Sequence, residues 1–140
     1  MIRFKKKLVS KVKEIREELN IPQLKLAEKA GVSRQTIYFL ERGESNPSLA
    51  LSLKIAQIFN KPIEEIFYFC PVIREVIKGT TIGEMERIAN KVNMNFKKIR
   101  KLLDVGDEQL SEQYSKNDLE KIAGALGYEF DDLFIEDEIM

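Results

Sequence analysis

The chain of 140 residues carries one apolar pattern twice, with the second copy displaced by 62 positions. The copies share apolar residues at helical spacing, a turn residue that enters the left-handed backbone region, and a helix-capping residue. The turn residue is Gly31 in one copy and Asn93 in the other, and the capping residue is Ser33 or Asn95. The aligned apolar pairs are Leu26/Ile88, Ala27/Ala89, Ala30/Val92, Val32/Met94, Ile37/Ile99 and Leu40/Leu102.

The second copy then has five extra residues in a loop. After that loop the match resumes, and "KIAQIFNKPIEEIF" of the first copy recurs as "KIAGALGYEFDDLF". A chance likeness of two helical segments would not preserve the turn, the cap and the small residue together. We therefore predict an internal duplication, with tandem domains at residues 1–69 and 70–140.

Helical spacing runs through both copies, so we predict an all-α fold with five helices in each domain. Asn46 as N-cap and Pro47 in the first turn predict the start of the fourth helix. At the N-terminus, Ile2 and Phe4 alternate with basic residues. This arm is interpreted as a frayed tail, as a DNA-contacting arm, or as a small strand pairing with residues 66–69.

Composition excludes most catalytic and metal chemistry. The chain has no histidine and one cysteine, which excludes an intrachain disulfide, most zinc sites and nucleophile–histidine pairs. We expect no catalytic residues, no metal and no cofactor. Without a membrane span or a secretory signal, an intracellular, cytoplasmic protein is expected.

The net charge of zero conceals a gradient along the chain. Residues 1–103 contain 21 Lys and Arg against 11 Asp and Glu, whereas residues 104–140 contain 2 against 12. The basic part predicts an anionic partner. The acidic end, 104–140, predicts either a solvated face or a site for a basic protein partner.

The repeated unit places a short helix, a turn and a second helix in sequence, with a small alanine where the helices must approach closely. That arrangement is a helix-turn-helix, whose second helix enters the DNA major groove. Arg34 and Gln35 open that helix and carry the side chains that bind guanine and adenine bidentately, and Phe39 suits a thymine methyl. Ile37 and Leu40 face the core.

Residues 12–68, with the motif "SRQTI…ERG…NPSL", resemble the lambda-repressor/Cro-type helix-turn-helix regulators, in particular short Cro-like repressors. The resemblance implies double-stranded DNA as partner and a structural pair between Arg16 and Glu41. It further implies base contacts from helix 33–41 and backbone contacts around it. The implied base contacts are Arg34, Gln35, Thr36 and Phe39, and the implied phosphate or backbone contacts are Gln23, Ser33, Tyr38, Arg42 and Asn46. Tyr38 and Phe39 have a second interpretation, packing on a neighbouring helix or a dimer partner.

The second copy departs from the family pattern. Met85 replaces Gln23, Leu103 replaces Glu41, and the following loop is acidic. Its counterpart of the recognition helix is nevertheless basic. The candidate contacts there are Asn95, Lys97, Lys98, Arg100 and Lys101. Either both copies touch DNA, making one chain a pseudo-dimer, or the second copy serves dimerisation or partner binding.

The sequence thus predicts a sequence-specific DNA-binding transcriptional regulator, more specifically a repressor that occludes promoters, acting as a homodimer or an intrachain pseudo-dimer. The alternative is a protein-binding module, an antitoxin or adaptor, that uses the acidic C-terminal domain.

Overall fold

The computed structural model describes residues 1–137 and divides into two compact units. The first unit comprises residues 8–69, and the second comprises residues 1–7 together with the chain from Cys70 onward. Residues 138–140, the end of the predicted acidic segment, lie outside the described residues. The predicted division at residue 69 had assigned the first seven residues to the first domain, whereas the structure assigns them to the second unit.

Five helices build the first unit around a core whose central side chains, such as Leu26, Ile37 and Ile55, are fully buried. This matches the helices that the apolar spacing predicts. The bounds are α1 Val12–Glu18, α2 Gln23–Ala30, α3 Arg34–Glu41, α4 Leu49–Phe59 and α5 Ile63–Ile66.

The start of α4 differs from the prediction. Ser48, not Asn46, is its N-cap, and the Ser48 hydroxyl accepts a hydrogen bond from the Leu51 N–H at 3.1 Å. Ser48 supplies a cap oxygen closer to the apolar stripe, and Pro47 then precedes the helix instead of opening it. Asn46 lies in the loop between α3 and α4.

A small sheet adjoins the helices. Its strands are β2 (Lys6–Ser10) and β3 (Phe67–Pro71), and the Lys11 N–H donates to the Ile66 carbonyl at 2.8 Å just beyond it. The predicted strand between the N-terminal arm and residues 66–69 is therefore present. It is built from residues 6–10, however, and not from Ile2 and Phe4.

The second unit is also mostly helical, but residues 70–137 contain six α-helices where five were predicted, because the loop with the extra residues forms a helix of its own. Its core contains Ile73, Ile99, Leu110 and Leu119, all fully buried. A 3-10 turn, Lys101–Leu103, follows α8 directly. The bounds are β1 Ile2–Phe4, α6 Val72–Lys78, α7 Ile82–Val92, α8 Phe96–Arg100, α9 Asp107–Gln113, α10 Lys116–Ala125, α11 Phe130–Leu133 and β4 Phe134–Glu136.

Strand β1 completes the second unit by pairing antiparallel with β4 in the register Ile2–Glu136, Arg3–Ile135 and Phe4–Phe134. Ile2 and Phe4 point into the core, and the Phe4 and Phe134 rings lie 6.0 Å apart. The alternation of apolar and basic residues thus indicated a strand correctly. The predicted partner of Ile2 and Phe4, residues 66–69, was wrong.

Candidate nucleic-acid interface

Helices α2 and α3 meet across a tight turn at Gly31. Gly31 has φ +73°, in the left-handed region that a glycine enters without steric cost, and it ends α2. The Val32 N–H donates to the Ala27 carbonyl at 3.0 Å, and Ala27 is fully buried. Ser33 then caps α3 by accepting the Thr36 N–H at 3.1 Å. The turn fixes the first residues of α3 relative to α2.

A chain of polar side chains connects the interior of the first unit to the start of α3. Arg16 Nε donates to Glu41 Oε1 at 2.7 Å, and the Glu41 side chain is only 2% exposed. Gln23 Nε2 donates to the other Glu41 oxygen at 3.1 Å, and Gln23 Oε1 accepts Arg34 Nε at 3.3 Å. The Arg34 Nε is therefore held by Gln23, and Gln23 is in turn bound to the buried ion pair of Arg16 and Glu41.

The two residues predicted to read bases lie exposed at the first turn of α3. Arg34 uses only its Nε in hydrogen bonding within the described chain, so both terminal amino groups have no protein acceptor there. Gln35 is exposed, and among residues 1–137 its amide has no hydrogen-bond partner. These are the groups that a bidentate contact with a base edge requires.

Thr36 and Phe39 complete the predicted reading face. The Thr36 hydroxyl lies 2.9 Å from the Ser33 hydroxyl, so it is already engaged with the helix cap. Phe39 is 37% exposed and stacks edge-on against Tyr38, with ring centroids 5.5 Å apart. Ile37 and Leu40, on the opposite side of α3, are buried as predicted.

Arg42 and Tyr38, predicted to contact the DNA backbone, are bound to each other. Arg42 donates one hydrogen bond to the Tyr38 hydroxyl at 2.7 Å and another to Glu44 at 2.9 Å, and its guanidinium lies 5.2 Å from the Tyr38 ring centroid. The pKa of Arg42 is raised above its ordinary value, mainly by the hydrogen bond to the Glu44 carboxylate and to a lesser extent by the hydrogen bond to Tyr38. Glu44 thus occupies the Nε donor of Arg42, and the Tyr38 hydroxyl occupies one of its terminal amino groups.

Asn46 lies beside a groove of about 440 Å³ between α3 and the loop before α4, which Thr36 and Phe39 also line. Sequence reasoning omitted two residues of this region, Glu44 and Ser48. Glu44 was detectable as an acid two positions after Arg42, and Ser48 as the serine next to the apolar stripe of α4.

Comparison with known proteins places this geometry in a family. The sequence model of a family described as Helix-turn-helix matches residues 12–66. An uncharacterized helix-turn-helix-type transcriptional regulator of Archaeoglobus fulgidus is 52% identical over 60 residues, which is 43% of this chain and 84% of that protein. A similar regulator of Methanocaldococcus jannaschii is 48% identical over 60 residues, covering 43% of this chain and 91% of that protein.

The chain belongs to the lambda-repressor/Cro-type family of helix-turn-helix transcriptional regulators. This confirms the resemblance inferred from the recognition-helix motif, and with it the assignment to a DNA-binding class. A putative helix-turn-helix-type regulatory protein of Methanococcus vannielii aligns over a longer stretch, 33% identical over 97 residues. That alignment covers 69% of this chain but only 26% of the relative.

The second unit lies outside the residues matched by the family model, and its counterpart of the recognition helix is altered. Helix α8 has five residues, with Asn95 as its N-cap accepting the Lys97 N–H at 2.8 Å. Met85 and Leu103 occupy the places of Gln23 and Glu41, so this unit lacks the polar chain described above.

The basic side chains of α8 and of the 3-10 turn that follows it fall into two groups. Lys98 is engaged: its Nζ lies 3.4 Å from Asp118 and 5.4 Å from the Tyr114 ring centroid, and its carbonyl accepts the Tyr114 hydroxyl. The other three basic residues are exposed and have no ion-pair partner within 4 Å in the part of the chain that the structure describes. They are Lys97, Arg100 and Lys101.

Within residues 1–137, no helix is long and apolar enough to cross a membrane. The same residues contain no group of three or more Cys, Asp or Glu side chains placed to hold a metal ion.

Proposed function

We propose that α3 of the first unit lies in the DNA major groove and reads base edges with Arg34 and Gln35. The observation that carries this proposal is the tether between Gln23 and Arg34, which holds the Arg34 Nε and leaves both terminal amino groups free. A guanidinium held in this way loses less side-chain entropy when it binds guanine O6 and N7. Phe39 and the Thr36 methyl are the apolar contacts for thymine methyl groups.

Backbone contacts on both sides of α3 would fix its register. The Gln23 amide donates one N–H to Glu41, and its second N–H has no acceptor among residues 1–137. That N–H, the cap at Ser33 and the amides near Asn46 are suited to phosphate oxygens. Arg42 and Tyr38 would contact the DNA backbone as well if a phosphate replaced Glu44 as the acceptor of the Arg42 Nε.

The second unit is proposed to be a degenerate copy that retained its core and lost base reading. Support comes from Asn93, which ends α7 in the left-handed region at φ +56°, as Gly31 ends α2, and from the Asn95 cap. Its exposed basic side chains, Lys97, Arg100 and Lys101, are suited to phosphates more than to bases. Lys98, held by Asp118, contributes less.

Regulation by repression is proposed from the family resemblance, because small members of this kind act by occluding promoters. If the chain acts as a homodimer, its half-sites lie about one helical turn apart, roughly 34 Å. An intrachain pseudo-dimer would instead bind two unlike elements. The competing protein-binding function would need the acidic segment to be available, yet Asp107 and Asp137 are already paired with Lys6 and Arg3.

The test is selection of binding sites from a random duplex library by the full chain, in parallel with the Arg34→Ala/Gln35→Ala variant at the same salt concentration. We expect a short enriched motif for the native chain and loss of that motif for the variant. A palindromic motif would indicate a homodimer, and two unlike elements would indicate reading by both units. No enrichment by the native chain would contradict sequence-specific binding and favour the protein-binding module.

A further inference from the structure

A groove of about 350 Å³ runs along α7 of the second unit. The last turn of α10 forms its other wall. Its floor is apolar, with Ile88 from α7 and Ala125 and Leu126 from the end of α10. The volume falls within the range of small-molecule sites in proteins, about 300–1,000 Å³.

Two of the residues that line the groove, Ala125 and Leu126, are smaller than the aligned residues of the first copy, Ile58 and Phe59. The end of α4 reads Ala-Gln-Ile-Phe at 56–59, and the aligned end of α10 reads Ala-Gly-Ala-Leu at 123–126. In the first unit, Phe59 and Leu26 close the aligned position and are 4% and 0% exposed. Their counterparts Leu126 and Ile88 are only partly buried, so apolar surface that the first unit covers is open in the second.

The rim of the groove is cationic. Arg87 and Lys91 stand four residues apart on α7 and therefore project from the same face. Neither has an ion-pair partner within 4 Å in the described chain. Glu84 is the one acid among the lining residues, so the lining carries an excess of one positive charge.

We propose that this groove binds a small organic carboxylate with an apolar tail. The tail would cover Ile88, Ala125 and Leu126, and the carboxylate would pair with Arg87 and Lys91. An inorganic anion would leave the apolar floor exposed, and a neutral apolar molecule would leave the two cations unused. The site is independent of the proposed base reading, because its residues belong to the second unit alone.

Octanoate is the probe, added to the isotope-labelled full chain below its micellar concentration and followed by amide NMR shifts. We expect saturable shifts confined to α7 and the end of α10. Octanol has the same tail without the charge and should bind about tenfold more weakly, since it cannot form charge-assisted hydrogen bonds with Arg87 and Lys91. Acetate, which lacks the tail, should cause no saturable shift.

Two variants separate the floor from the rim. Ala125→Ile/Leu126→Phe restores the residues of the first unit and should abolish the octanoate shifts by filling the groove. Arg87→Gln/Lys91→Gln alters exposed side chains only and should weaken octanoate about tenfold while leaving octanol unchanged. The second variant keeps the proposal testable if the first does not fold.

Several results would overturn the proposal. They are octanoate shifts outside α7 and α10, equal affinities for octanoate and octanol, and unchanged octanoate binding in either variant. Shifts that depend on protein concentration and not on octanoate would also overturn it, and they would identify this face as a contact between copies of the chain.

Discussion

At the scale of single residues, Gln23 connects a buried ion pair to Arg34, the side chain proposed to read a base. One end of its amide binds Glu41, which is buried against Arg16, and the other end binds Arg34 on the exposed start of α3. A phosphate clamp was predicted for Gln23 from the family resemblance. That clamp stays a prediction, and what the structure shows is a hydrogen bond from the Arg34 Nε to the Gln23 side chain.

Breaking the buried pair should destabilise the first unit. Arg16→Met removes the partner of a carboxylate that is 2% exposed, and an uncompensated buried charge costs about 3–5 kcal/mol. We expect a loss of that size in the free energy of unfolding, measured by chemical denaturation. Glu17→Gln is the control: Glu17 is 4.0 Å from Arg16 but 58% exposed, so the change should stay within about 0.5 kcal/mol. Wild-type stability in Arg16→Met would contradict the role given to this pair.

Glu44 should act as a competitor of the DNA backbone for Arg42. The Arg42–Glu44 pair is exposed and therefore weak, and Glu44→Gln frees the Arg42 Nε for a phosphate, so it should raise DNA affinity only a few-fold. Affinity is measured by fluorescence anisotropy with a labelled duplex. Glu14→Gln on α1, away from α3, is the matched change of charge and should have little effect. An unchanged or weaker affinity in Glu44→Gln would remove Arg42 from the phosphate contacts.

At the scale of elements, the N-terminal segment is part of the second unit. The Phe4 N–H donates to Asp107 Oδ1 at 2.9 Å, Lys6 Nζ pairs with Asp107 Oδ2 at 2.7 Å, and Arg3 pairs with Asp137. Two carboxylates of the acidic end are therefore paired with basic residues of the N-terminal segment, which belongs to the same unit. This accounts for some of the charge gradient without a foreign protein.

These contacts predict a stability that falls in acid. Partial burial works to raise the pKa of Asp107, but hydrogen bonds from Lys6 and the Phe4 N–H lower it overall, and the bond from Arg3 lowers the pKa of Asp137. A carboxyl with a lowered pKa stabilises the fold above its unfolded-state pKa, about 3.9, and loses that effect as pH falls through the folded-state value.

The free energy of unfolding of the second unit should therefore decrease between about pH 5 and pH 2, and Asp107→Asn should make the decrease shallower. Hydrogen exchange of the α9 and α11 amides reports on this unit. Glu112→Gln is the control, because Glu112 is exposed and has no ion pair in the described chain. An identical pH profile for native chain and Asp107→Asn would contradict the ascribed role.

Local signals were enough to place most elements. Gly31 and Asn93 end their helices in the left-handed region, as a glycine and an asparagine after an apolar stripe indicate. Ser33 was recognisable as a cap because the apolar period starts directly after it. Between Asn46 and Ser48, two capping residues compete, and the choice depends on which one precedes the packed stripe.

Non-local contacts could not be predicted in the same way. The pairing of Ile2 with Glu136 joins residues 134 positions apart, and no local pattern identifies that partner. The polar chain at the site was predictable only in part. The family resemblance related Arg16 to Glu41, but the bond between Gln23 and Arg34 depends on how α2 and α3 pack.

At the scale of the whole molecule, the basic residues are not concentrated in the unit that is proposed to read bases. The first unit, residues 8–69, contains 9 Lys and Arg against 8 Asp and Glu. Residues 70–103 contain 8 against 3. The second unit is thus the more basic one before its acidic segment begins, which fits a role in phosphate contact.

That role predicts a change in salt dependence. The logarithm of the binding constant falls with the logarithm of salt concentration by about 0.9 for each phosphate contact in duplex DNA. Lys97→Gln/Lys101→Gln should therefore reduce the slope by about 2 without changing the selected motif. Lys121→Gln, an exposed lysine on α10, is the control and should leave the slope unchanged. An unchanged slope in the α8 variant would show that α8 does not contact the DNA backbone.

The central claim is that Arg34 reads a base. The decisive measurement is the affinity of the native chain and of Arg34→Ala for the selected site and for a scrambled duplex at one salt concentration. We expect a loss of about 1–3 kcal/mol on the selected site and little loss on the scrambled duplex. An equal loss on both duplexes would contradict base reading and leave Arg34 as a backbone contact.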